Sequence, residues 1–185
     1  MNIYAIIEKY VALNIKYDEQ NDKLERTKKN YTFAEAEGDI AFNEKRFDME
    51  SKYNASAKKY KNEYAQIMDT LLKLKSKLLE THQEYLNELE KLNKDDINKI
   101  IEVMIQKKKN TEKEIFELSL KKAGATALGE EAFENYNVEE EIKYNKISKE
   151  CYLQIESLNH YVKYYGMFSE NLKTYINEKK LVLTK

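Results

Sequence analysis

The stretch AKKYKNEYAQIMDTLLKLKSKLLETHQEYLNELEKL, residues 57–92, decides the fold. Ala57, Tyr64, Leu71, Leu78, Tyr85 and Leu92 recur at seven-residue spacing, and Tyr60, Ile67 and Leu74 stand three residues after the first three of them. This is the a/d pattern of a coiled-coil seam, an apolar stripe that a helix can bury only against another helix. A helix rises about 1.5 Å per residue, so the seam runs for more than ~50 Å.

The same repeat extends in both directions. Ile3, Tyr10, Tyr17, Leu24 and Tyr31 form one row with Ile6 and Leu13 beside it. Near the other end, Cys151, Leu158, Tyr165 and Leu172 form a row flanked by Ile155, Val162, Ile176 and Leu183. Between them, Ile97, Ile101, Met104, Ile115 and Leu118 mark a further helix. Each is a helix with one adhesive edge.

Changes of frame set the expected boundaries. A new row, Phe33, Ile40 and Phe47, starts behind Thr32-Phe-Ala-Glu35, which has the form of a capping box. Asn93, Asp95 and Asp96 are poor helix-interior residues and good N-caps. Residues 120–133 hold two of the four glycines in the proline-free chain, and Gly124 follows Lys121 and Lys122 as a left-handed C-cap would. The pattern predicts helices over about 3–31, 33–92, 96–122 and 138–183, with a glycine-containing connection at 123–137. Helices one and three would fold back along the long second helix, and the fourth would close the remaining edge. Without a turn at Thr32 the first two helices would fuse. The expected class is all-α: one elongated antiparallel helical bundle, a coiled coil of three to four long helices spanning 1–185.

Composition narrows the function. Of 185 residues, 42 % are apolar and 35 % charged, which leaves little surplus for a compact core. With 32 lysines and arginines against 33 acids, the net charge of −1 draws the chain toward neither nucleic acid nor anionic lipid. One cysteine makes no internal disulfide, and Glu8 and Lys9 interrupt what would be the apolar core of a Sec signal peptide. No window approaches the ~18 apolar residues of a membrane span, so the expected location is the cytoplasm, with export by a dedicated secretion system left open.

Chemistry-bearing motifs are scarce. The segment GATALGEE lacks the Lys-Ser/Thr of a phosphate loop, and Glu130 and Glu131 would repel an anion. Leu79 and Ser157, not glutamates, stand three residues before His82 and His160, so the Glu-x-x-His pairs of a di-metal bundle are missing. Cys151 lies in an apolar row, where it acts as a small hydrophobe. Lys107, Lys108 and Lys109 make helix three the most basic segment. Phe116 is the one aromatic there for stacking on a nucleic acid, so a solvated face is expected. Fifteen tyrosines and no tryptophan suggest seams with wet edges, and tyrosine is common at protein interfaces.

The expectation is a non-enzymatic coiled-coil structural or adaptor subunit that assembles with other proteins or with copies of itself, without metal, cofactor or small-molecule substrate. A membrane-surface scaffold of the crescent-dimer kind comes second, and a nucleic-acid-associated spacer third. Two places are candidates for partner contact. One is a docking tip in the glycine segment, with Ala125, Thr126 and Leu128, where small side chains permit close backbone approach. The other is the densest aromatic cluster, Tyr161, Tyr164, Tyr165 and Phe168, which lies inside the bundle or meets another subunit.

Overall fold

The computed structural model describes residues 2–183, and the surroundings of side chains 2–178. The protein is all-α, with four long helices: α1 (Ile3–Asn43), α2 (Phe47–Leu89), α3 (Lys94–Glu134) and α4 (Val138–Leu183). None of the described helices is long and apolar enough to cross a membrane. The chain divides into two compact units, Met1–Asn87 and Glu88–Lys185. Each is a helical hairpin.

In the first hairpin α2 runs antiparallel to α1. Lys9 pairs with Glu84 at 3.1 Å and Lys23 with Glu63 at 3.2 Å, so early residues of α1 meet late residues of α2. Alongside the Lys23–Glu63 pair, on its side toward Lys9 and Glu84, Leu24 packs with Ile67 and Leu71, and Tyr17 and Tyr64 cover the cluster. The second hairpin has the same sense. Lys107 lies over the Tyr165 ring at 5.6 Å, Lys122 over Tyr152 at 5.0 Å, and the Thr126 and Ser148 hydroxyls are 2.9 Å apart.

The central seam lies where the spacing puts it. Ala57, Ile67, Leu71 and Tyr85 are buried, while Tyr60, Tyr64, Leu74 and Leu78 are half-buried, in keeping with the wet edge that a phenol tolerates. Cys151, Tyr165, Leu172 and Ile176 are buried on α4. Leu183, assigned to the same row, lies outside the side chains described. Leu92 falls in the link after α2, which ends at Leu89.

Two expected boundaries are wrong for the same reason. The helix does not stop at residue 31: Thr32 is inside α1, and its hydroxyl donates to the Lys28 carbonyl at 3.1 Å instead of capping. Nor does α3 end at 122, since the expected connection at 123–137 is helical through Glu134. Gly124 has no left-handed backbone and caps nothing. In both helices the seam continues, but with small residues. It passes through Leu24, Thr27, Tyr31, Ala34, Gly38 and Ala41 in α1, and through Ile115, Leu118, Lys122, Ala125, Gly129 and Ala132 in α3. The alternation of three and four residues never breaks. The supposed new frame at Phe33, Ile40 and Phe47 is the outer surface, with exposures of 62, 44 and 62 %.

The real turns are three residues long and share one design. Lys45 (φ 59°) and Tyr136 (φ 54°) are left-handed. Arg46 N–H donates to the Ala41 carbonyl and Lys45 N–H to Phe42; Asn137 N–H donates to Ala132 and Tyr136 N–H to Phe133, all at 2.8–3.0 Å. These are the paired bonds of a Schellman stop, made here without glycine. Where sequence signals for helix starts were sound, they hold. Asn93 caps α3 by accepting from Asp96 N–H at 2.9 Å, and α4 begins at Val138, its Asn137 side chain accepting from Glu140 N–H at 3.3 Å.

Candidate functional site

The two hairpins are built to one plan, offset by ninety-one residues. AEAEGDIAF (34–42) corresponds to ATALGEEAF (125–133), and the tripeptide Lys52-Tyr53-Asn54 returns as Lys143-Tyr144-Asn145. The correspondence is physical as well as textual. A Cβ added to Gly38 would stand 3.1 Å from Asn54 Oδ1 and 3.6 Å from Tyr53 Cβ. At Gly129 the same distances, to Asn145 and Tyr144, are 3.2 and 3.6 Å. Each asparagine donates its side-chain N–H to a glutamate one turn earlier, Glu50 at 3.4 Å and Glu141 at 3.5 Å. The Ala-x3-Gly-x2-Ala stripes thus bring two helices close just before they reverse. A side chain at the glycine would push them apart.

Against this plan, the sequence-predicted contact residues separate. Ala125 is buried in the seam, 5 % exposed. Thr126 is on the surface but occupied, donating to the Lys122 carbonyl at 3.0 Å beside its Ser148 contact. Leu128 is 44 % exposed, near the turn. The segment carrying all three is part of α3, so it forms neither the glycine-containing connection expected there nor a loop tip. In the aromatic cluster Tyr164, Tyr165 and Phe168 are each 6 % exposed, and Tyr161 is half-buried, 6.1 Å from the Tyr165 ring. Of the two outcomes that composition left open, these residues take the interior one. They hold the hairpin together.

The lysine run is also more engaged than a solvated face. Lys107, Lys108 and Lys122 are half-buried. Lys107 and Lys122 place their ammonium groups over tyrosine rings of α4, while Lys108 reaches Glu112 at 3.7 Å and lies by Gly166. Their alkyl stems fill seam flanks and their charges stay wet, a use of lysine that net charge alone does not reveal. Lys109, Lys113 and Lys121 are exposed. Of the reactive candidates Cys151 packs, while His82 is exposed beside two tyrosines. Cys151 is 2 % exposed, and the His82 ring lies 5.6 Å from Tyr10 and 6.3 Å from Tyr85.

The Tyr31 hydroxyl donates to the Glu35 carboxylate, which raises its pKa; Glu88 accepts from Lys91 at 2.6 Å and is lowered. Both are local pairs, between residues four and three apart in the chain. No group of three or more His, Cys, Asp or Glu among the described residues is arranged to hold a metal ion.

Large apolar side chains also face outward, and sequence reading missed most of them. Phe42 and Phe47 flank the first turn at 58 and 62 % exposure. Around the second stand Phe133 at 66 %, Tyr136 at 93 %, Val138 at 61 % and Ile142 at 63 %. Farther along the helices, Leu72, Leu79, Phe116 and Leu120 are exposed by 60–64 %. The ninety-one-residue offset between AEAEGDIAF and ATALGEEAF would have exposed the pattern, because it marks both turns and separates seam from surface. Comparison with protein-family models, with curated proteins and with solved structures returned no match.

Proposed function

We propose that the protein is a non-enzymatic structural or adaptor subunit, whose two helical hairpins present apolar surface to other proteins. The observation that carries this is the division of apolar residues. Each hairpin fills its own seam, yet Leu72, Leu79, Phe116, Leu120 and the residues at the turns stay more than half exposed. A chain that is 35 % charged has polar alternatives for such positions, and Leu72 with Leu79, like Phe116 with Leu120, recurs at helical spacing on one face, as residues of a contact surface do. The membrane scaffold and the nucleic-acid spacer have weaker support, because both need a continuous basic face. The lysine-lined groove of Lys23, Lys58 and Lys59, about 660 Å³, contains Glu63, already paired with Lys23.

Site-specific photo-crosslinking in the cell of origin tests the proposal. A crosslinking side chain at position 72, 116 or 136 is expected to give discrete protein adducts. Outward control positions such as Lys109 and Lys113 are expected to give none. Uniform absence of adducts at all three test positions would remove the assembly role.

A further inference from the structure

We infer that the two turns are copies of one docking element, and that the second takes a basic amphipathic helix of a partner protein. The inference rests on the assembly role proposed above and names the chemistry of its partner.

The internal repeat supplies the control. One exposed apolar residue on each side of the turn matches across it: Phe42 answers to Phe133, and Phe47 to Val138, all between 58 and 66 % exposed, whereas Tyr136 answers to Lys45 and Ile142 to Ser51. Elsewhere on the outer surface the match fails. Phe33 corresponds to Gly124, Leu72 to Lys163, Leu79 to Glu170, Phe116 to Glu25 and Leu120 to Lys29. Two copies that have drifted apart over their outward faces have therefore kept a large apolar group on either side of the turn. The turn makes no use of their side chains, since the bonds that close it run backbone to backbone.

Tyr136 adds a second sign. A left-handed residue is most relaxed as glycine or asparagine, and Asn135 and Asn137 stand on both sides of it. Instead a tyrosine occupies the apex, 93 % exposed. The left-handed backbone is tolerated at both turns, and at the second it carries an aromatic ring outward.

Charge selects the partner. Residues 128–141 contain six glutamates and no lysine or arginine. An apolar centre with a carboxylate rim repels phosphate-bearing surfaces, both nucleic acid and anionic lipid. It attracts a helix with leucine-like side chains on one face and lysine or arginine on the other, by burial at the centre and charge pairing at the rim. The first turn, tempered by Lys45 and Arg46, takes the same ligand more weakly.

The probe is a synthetic helical peptide with leucines on one face and lysines on the other; a control replaces every lysine with glutamate. Fluorescence anisotropy with the full chain should show binding of the lysine peptide alone, weakening as salt rises. Phe133→Ser combined with Val138→Ser should weaken it at least tenfold, and so should Tyr136→Gly, which relaxes the turn and so cannot act by unfolding. Glu112→Gln, Glu114→Gln and Glu117→Gln together, along the middle of α3, should change affinity less than twofold. No binding, binding indifferent to the turn variants, or preference for phosphatidylserine vesicles over the peptide would overturn the inference. Were crosslinks at positions 72 and 116 still to form, the docking element would fall and the assembly role would stand.

Discussion

The first and second hairpins agree where their helices touch and in the backbone of their turns, and differ in the side chain that each turn carries at its apex. Gly38 and Gly129 face the same Tyr-Asn pair at distances that differ by no more than 0.1 Å, yet the left-handed residue of the turn is Lys45 in one and Tyr136 in the other. The seam admits little change because a helix pair must close over it. The apex admits much, since solvent or a partner is all that it meets. Another contrast lies deep in the seam. Leu172 of α4 and Thr81 of α2 hold equivalent places and are both fully buried, but the Thr81 hydroxyl has no hydrogen-bond partner. The first hairpin is thus the less well filled at that level.

These contrasts can be tested in order of expected effect. Leu172→Ala should destabilise the protein by about 2–5 kcal/mol in chemical denaturation, because it empties a place with no exposure. A loss under ~1 kcal/mol would mean that the seam is loose there. Leucine at Gly38 or at Gly129 should each cost about 1–3 kcal/mol, since a large side chain must separate two helices already in contact. Comparable losses at both would establish the repeat energetically, and a tolerated substitution at one would show that the hairpins close differently.

Thr81→Val removes an unsatisfied buried hydroxyl while keeping the shape, and should raise stability by about 1 kcal/mol. Thermal melting checks it. A decrease would reveal a partner for the hydroxyl in solution. The smallest effect is expected at Gly124, which lies in the interior of α3, where an added Cβ would meet nothing within 4 Å and the backbone is not left-handed. Gly124→Ala should stabilise by about 0.5–1 kcal/mol by restricting the unfolded chain and favouring helix. Had Gly124 been a helix cap, as its neighbours in sequence suggest, the sign would be opposite.

How much the sequence determined follows from which residues signal by size. The seven-residue rows of leucine, isoleucine and tyrosine announced the all-α class and the central seam, because large apolar groups at helical spacing have no other cheap burial. Asn93 and the start at Val138 were legible as well, since caps are local and a side chain one turn away satisfies the backbone. Thr32-x-x-Glu35 and Gly124 misled for the converse reason. The same short patterns occur inside helices, and whether a helix goes on past them depends on what its partner offers on the other side. Ala34, Gly38 and Ala41 carry no hydrophobic signal of their own. They belong to the seam only because Tyr53 and Asn54 stand against that stretch of α1, and a close approach of two helices needs small residues on one of them. Tertiary structure alone decided that Phe33 faces outward, that Tyr164 and Phe168 face inward, and that the turns fall at residues 44–46 and 135–137. In each case the local preference is weak, and the contact with the opposite helix is the larger energy.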